Sequence, residues 1–211
     1  MQHSKIVTGI EEIDKRRSKI YVDREEMFVL YKGEILQFKI RENEELSVVN
    51  YQTIQQEILP KRAKKRCLNL LQVRPYTEQK LREKLKEGYY PEQIIDEAIA
   101  YVKSYHYIDD YDYACQYIFY HKETEPRRKI EEKLLRKGIP KEILQKAMDT
   151  TYHNAEEQRE AEYQQARKLL AKKHYDAEKR DWKEKQKIYA FLIRKGIDSQ
   201  VIKKAMFLDA L

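Results

Sequence analysis

IEEKLLRKGIPKEILQKAM, Ile130 to Met148, is the stretch on which the fold turns. Ile130 and Leu134 recur at helical spacing. Arg136, Lys137 and Gly138 follow them, the signature of a basic last turn and a glycine stop. Pro140 then stands where a next helix would have its first residue, and there a missing N–H costs nothing. Ile143 and Ala147 open a second apolar stripe, so the stretch reads helix, turn, helix. It occurs twice more, as LREKLKEGYYPEQIIDEAI (81–99) and IYAFLIRKGIDSQVIKKAM (188–206). Leu81, Ile130 and Ile188 correspond, as do Leu85, Leu134 and Leu192, then Ile94, Ile143 and Val201, then Ala98, Ala147 and Ala205. The last two copies share RKGI and place Gly138 and Gly196 alike, whereas the first copy has its glycine one position early, at Gly88.

A further helical pattern precedes each copy, over about 61–72, 111–121 and 156–173. Three tandem three-helix units result, with expected bounds 47–107, 108–152 and 153–211. A single unit of about 45 residues buries too little surface to be robust, so neighbours are expected to pack into a curved array. Residues 1–46 read differently. KIVTGI (5–10), SKIYV (18–22) and MFVLYK (27–32) are short β-branched and aromatic runs, with Asp23 to Glu26 as a turn. After Gly33, EILQFKI fits a fourth strand or a short helix. Ser47 is a good helix N-cap, and Pro60 is expected to break or kink the helix that follows. The next helix places Ala63, Cys67, Leu70 and Leu71 on one face. The predicted fold is mainly α: three tandem three-helix repeats behind a small strand-containing segment.

The 211 residues carry 43 Lys and Arg against 36 Asp and Glu, a net charge of +7. The excess is uneven. Residues 61–86 hold ten basic and two acidic side chains, a net +8, and residues 87–121 hold one and seven, a net −6. Such a basic block attracts polyanions at long range, although a solvated helix face accounts for a charge run as well. No apolar run approaches the roughly 20 residues that span a bilayer. The opening MQHSKIVTGIEEIDKRR has no apolar core of a secretory signal. A cytoplasmic protein with two unpaired, buried thiols, Cys67 and Cys115, is expected.

YIDDYDYA, Tyr107 to Ala114, crowds three aspartates into four residues. Tyr113, Ala114, Tyr117 and Ile118 form an apolar helical stripe just after them. Asp110 therefore reads as an N-cap, and Asp112 as a first-turn carboxylate facing the positive end of the helix dipole. A metal site would need carboxylates converging from different elements, or an EF-hand loop with its glycine and distal glutamate. The five histidines, His3, His106, His121, His153 and His174, show no metal-ligand spacing. No phosphate loop, nucleophile elbow or HExxH occurs. No catalytic residue, metal or cofactor is predicted.

RPYTEQKLREKL (74–85), YIDDYDYA and LLRKGIPKEIL (134–144) resemble the recurring motifs of the RecX family, over about residues 60–206. The early glycine, the longer stretch between the first two helices of the third copy and the long N-terminal segment depart from its repeat core. The resemblance implies tandem three-helix repeats and a non-enzymatic regulator of the recombinase RecA, in DNA repair, the SOS response and homologous recombination. It implies a monomer that lies along the groove of the RecA–single-stranded-DNA filament, binds naked single- or double-stranded DNA weakly, and damps ATP hydrolysis, strand exchange and coprotease activity. The basic side chains expected to face filament or DNA are Arg62, Lys64, Lys65, Arg66 and Arg74 in the first unit. Arg127, Arg128 and Lys129 stand in the second, and Lys168, Lys172 and Lys173 in the third. Two other readings stand beside this one: a stand-alone helical-repeat nucleic-acid-binding protein, and a metal-dependent enzyme using Asp109, Asp110 and Asp112.

Overall fold

The computed structural model describes residues 5–152, 155–176 and 181–206. The three β-branched runs pair as an antiparallel meander, β1 (Lys5–Glu12), β2 (Arg17–Val22) and β3 (Glu26–Tyr31). A two-residue β4 (Glu45–Leu46) joins β1 at the other side, in the order β3-β2-β1-β4. In β2, Ser18, Ile20 and Val22 are buried while Lys19 and Tyr21 are not, the period of two that a half-buried strand requires. The segment open to two readings is helical in its first half, α1 (Lys32–Gln37). The Glu34 carboxylate reaches back to accept the Tyr31 N–H at 2.7 Å, as the third residue of a capped helix does.

Ser47 caps α2 (Val48–Thr53), its hydroxyl accepting from the Asn50 N–H at 3.2 Å. Of the break or kink expected at Pro60, no break occurs. The helical path widens into a π turn over Ile54–Ile58 and continues as α3 (Leu59–Val73), with Pro60 in its first turn. A π turn shifts the hydrogen-bond ladder by one residue, which lets a residue without a donor sit at the start of a new α segment.

Then come α4 (Glu78–Lys86), α5 (Glu92–Ser104), α6 (Asp110–His121), α7 (Arg127–Arg136), α8 (Lys141–Thr151), α9 (Ala155–Lys172), α10 (Trp182–Lys195) and α11 (Ser199–Ala205). The chain forms two compact units, Met1–Asp109 and Asp110–Leu211. In the first, the sheet and α3 to α5 share one core that includes Phe28, Leu30, Ile54, Cys67, Leu81 and Ile95. The second has two cores, one around Ile118, Ile130 and Leu134, the other around Leu170, Leu192 and Ile202. The corresponding residues Leu85, Leu134 and Leu192 are fully buried, as are Ala98, Ala147 and Ala205, whereas Ile143 and Ile188 are only partly so.

The turn between the second and third helices of each triple is built the same way three times. The N–H groups of Tyr90, Ile139 and Ile197 reach back to the carbonyls of Leu85, Leu134 and Leu192, at 3.3, 3.1 and 3.2 Å. The preceding N–H groups, of Tyr89, Gly138 and Gly196, bond to Lys86, Leu135 and Ile193. This is the Schellman arrangement, which needs one left-handed residue. Gly138 and Gly196 supply it at φ 84° and 91°, and in the first triple Tyr89 does, at φ 59°. The early glycine therefore serves another need. A Cβ on Gly88 would lie 2.9 Å from the Tyr90 ring and 3.1 Å from the Leu85 carbonyl oxygen. Pro140 stands one step outside its predicted place, and Pro91 holds the same position in the first triple. They are N-cap residues of α5 and α8 with extended ψ near 150°, and their carbonyls accept from Ile95 and Leu144. Asp198 holds the same position before α11 and adds a side-chain bond to the Gln200 N–H.

Candidate functional site

The KRAKKR run on α3 divides by face. Ala63 and Cys67 point into the core, which turns their neighbour Arg62 onto the sheet. Its guanidinium is 2.8 Å from Glu34, donates to the Val29 carbonyl and lies over the rings of Tyr31 and Tyr90, at 4.9 and 5.8 Å. Only 17% of its side chain is exposed. Arg62 is a tie between α3 and the sheet. A sequence run does not reveal which side of a helix meets another element. Lys64 lies over Tyr101 and Arg74 over Tyr76. Lys65 and Arg66 are exposed, and among the described residues neither is salt-bridged.

A cleft of about 450 Å³ opens in this unit, lined by Asp14, Arg16, Arg17, Val29, Tyr31, Arg62, Arg66, Lys84, Glu87, Gly88 and Tyr90. Arg16, Arg17 and Lys84 were not among the candidate residues of the sequence reading, although Lys84 lies in its basic block. Basic residues from a strand turn and two helices converge only through the packing of α3 and α4 beside the sheet. The Asp14 carboxyl is held below its ordinary range by the Arg16 backbone N–H and by the Arg17 guanidinium. Burial and the cation beside it act oppositely on Tyr90. Burial pushes its hydroxyl up more than Arg62 pulls it down.

In the second unit the predicted cations are also unequal. Arg127 pairs with Glu131 at 2.8 Å and lies over the Tyr152 ring. Burial pushes the Tyr152 hydroxyl up to about 12. Exposed Arg128 pairs with Glu132 at 3.3 Å. The stem of Lys129 covers Gly196, its Cγ 3.1 Å from where a Cβ would stand, so Lys129 helps to seat the third triple on the second. Lys168 and Lys172 are exposed one turn apart on α9. Lys173 lies over Phe191, as does Lys195, at 5.1 and 5.5 Å. The lysine of the other RKGI turn, Lys137, behaves similarly over Tyr113 and Tyr117. Those two tyrosines and His121 stack along α6 at i, i+4 spacing, with ring centroids 6.4 and 4.2 Å apart. Their spacing was legible in the sequence, but the lysine that meets them comes from another helix.

The aspartate cluster opens α6. The helix begins at Asp110 itself, so Asp110 and Asp112 are both first-turn carboxylates, and Asp109 holds the place before them. Among the described residues, no three His, Cys, Asp or Glu side chains are arranged to hold a metal ion. His106 and His174 are left-handed residues ending α5 and α9, and His121 lies 3.4 Å from Glu125. His3 and His153 lie outside the described residues. Both cysteines are free. Cys67 is buried, which pushes its thiol up to about 11, and Cys115 is only half-buried, against expectation. No described helix is long and apolar enough to cross a membrane.

Residues 63–101 match the family description "RecX, first three-helix domain", and residues 160–206 match "RecX, third three-helix domain". The regulatory protein RecX of Clostridium beijerinckii is 30% identical over 207 residues, covering 95% of this chain and 94% of that protein. That of Caldanaerobacter subterraneus subsp. tengcongensis is 29% identical, with 89% and 90% covered. A crystal structure of a regulatory protein RecX superposes with a TM-score of 0.62 at 26% identity, covering 96% of this chain and 100% of that one.

Proposed function

Because the chain belongs to the RecX family of regulatory proteins, we propose that it acts without catalysis of its own, as a modulator of RecA. In this reading it binds the RecA–single-stranded-DNA filament as a cytoplasmic monomer and inhibits recombinase, ATPase and coprotease activity. The three triples, over 47–107, 108–152 and 153–211, serve as successive docking modules. The observation that carries the reading is the thrice-built turn, which sets equivalent helices at intervals along one chain. A repeat protein of this kind suits a partner that is itself periodic. Exposed cations of several triples, Lys65, Arg66, Arg128, Lys168 and Lys172, supply charge complementary to DNA phosphate or to an acidic protein surface.

The test is the rate of DNA-dependent ATP hydrolysis by a cognate RecA, with co-sedimentation of filaments, at two salt concentrations. Substoichiometric protein is expected to suppress the rate, and less so at high salt, since these contacts are screened. Arg128→Gln with Lys168→Gln and Lys172→Gln should suppress less at unchanged melting temperature, because exposed charges contribute little to stability. A wild-type protein that leaves the rate untouched at low salt and stays in the supernatant would refute the reading.

A further inference from the structure

The cleft in the first unit carries cations that no structural tie uses up. Its wall carries five basic and two acidic side chains, a net +3. Both carboxylates are already engaged: Asp14 with the Arg17 guanidinium, 2.8 Å away, and Glu87 with Lys84, 2.6 Å away. Glu34, outside the wall, holds Arg62. Arg16 and Arg66 are left. Both are exposed, and among the described residues neither is salt-bridged. Two uncompensated guanidinium groups on one cleft repel each other and favour an anion between them, and their forked donors match phosphate oxygens in pairs. The cleft volume, about 450 Å³, lies within the range of small-molecule sites. Tyr31, 43% exposed with the Arg62 guanidinium 4.9 Å from its ring centroid, adds an aromatic surface at its wall.

We propose that this cleft binds a nucleotide phosphate, with Arg16 and Arg66 on the phosphate oxygens and the Tyr31 ring against the base. The aromatic wall is what favours a nucleotide over an acidic peptide, because every base presents a flat face for stacking. Asp14 has a positioning role. It accepts the backbone N–H groups of Arg16 and Arg17, both at 2.9 Å, and so fixes the strand turn that carries Arg16. The phosphate belongs either to a free nucleotide or to one unit of a single strand, and the chemistry is the same for both. The site does not depend on the RecA reading.

The experiment is fluorescence anisotropy of the full chain with a labelled single-stranded oligothymidylate across a salt series, without any recombinase. ATP and polyglutamate are the competitors. Arg16→Ala with Arg66→Ala is expected to weaken binding about tenfold or more through two lost charge-assisted contacts. It should reduce the magnitude of the slope of log K against log salt by about 0.7, the increment for the one phosphate they hold on a single strand. Arg41→Ala with Lys61→Ala, which removes the same charge outside the cleft, should leave both quantities at wild-type values. Competition by ATP at concentrations near its own anisotropy-derived affinity identifies the free nucleotide as the source, and competition only by unlabelled strand identifies the strand. Polyglutamate competing as well as the unlabelled strand overturns the proposal. So does wild-type binding by the Arg16 and Arg66 variant, or an equal loss in the control. Melting temperatures of both variants verify that the fold is intact. Because RecA is absent, failure here leaves the regulatory reading standing, and failure of RecA inhibition leaves this site standing.

Discussion

Replacing Arg62 by alanine separates a structural tie from a partner contact. The guanidinium has a 2.8 Å ion pair with Glu34, a bond to the Val29 carbonyl and two aromatic neighbours. Glu34 is itself only 20% exposed, so its charge is poorly rehydrated once the partner is gone. Loss of a charge-assisted bond costs about 1.5–3 kcal/mol. The two ring contacts add about 0.5 kcal/mol each at this partial exposure. The Val29 carbonyl regains water in the space left by the side chain, which limits its penalty. The expected destabilisation is about 2–4 kcal/mol, below the roughly 3–5 kcal/mol of a fully buried pair because both partners retain some solvent. At about 4–8 °C per kcal/mol for a domain of this size, the melting transition of the first unit drops by roughly 8–32 °C. Circular dichroism melting of the full chain measures it. A cycle with Glu34→Gln should return a coupling of about 1–3 kcal/mol between the two sites. A variant that melts with the wild type yet loses RecA inhibition would refute the tie and restore Arg62 to the interface.

Two further outcomes follow from the turns and the ion pairs. Gly196→Ala should destabilise the second unit by about 1–2 kcal/mol, the cost of a left-handed Cβ, with more if Lys129 cannot move off; denaturant melts showing no change would mean the turn relaxes freely. Burial raises the Glu78 carboxyl, but Lys103 and Arg82, 2.7 and 2.9 Å away, lower it further, so its folded value lies below 4.5. A depressed carboxyl stabilises above its unfolded value, and that contribution disappears as pH falls through the folded value. The melting-temperature gap between wild type and Glu78→Gln should therefore be wide at neutral pH and shrink as pH falls below 4.5. A gap independent of pH would exclude the ion pairs as its cause.

Much of this molecule was legible before any coordinates. The apolar spacing at Leu85, Leu134 and Leu192, with a turn residue four positions on, is a local code for helix, stop and helix. Local hydrogen bonds satisfy it whatever the neighbours are, so it could be read three times over. The first three strands were legible as short β-branched and aromatic runs, two of them joined by the turn at Asp23 to Glu26. What stayed hidden lies at second neighbours. Gly88 looked like a misplaced helix stop because its function is to make room for the Tyr90 ring. Pro60 looked like a break because the π turn that absorbs it has no residue signature of its own. The division of the basic side chains was decided by tertiary structure alone. Arg62 and Arg66 stand one helical turn apart and carry the same charge, yet one is tied to the sheet and the other faces solvent. Charge is a property of the residue, but its availability depends on which carboxylates and rings the fold brings within a few ångströms, and those come from distant parts of the chain.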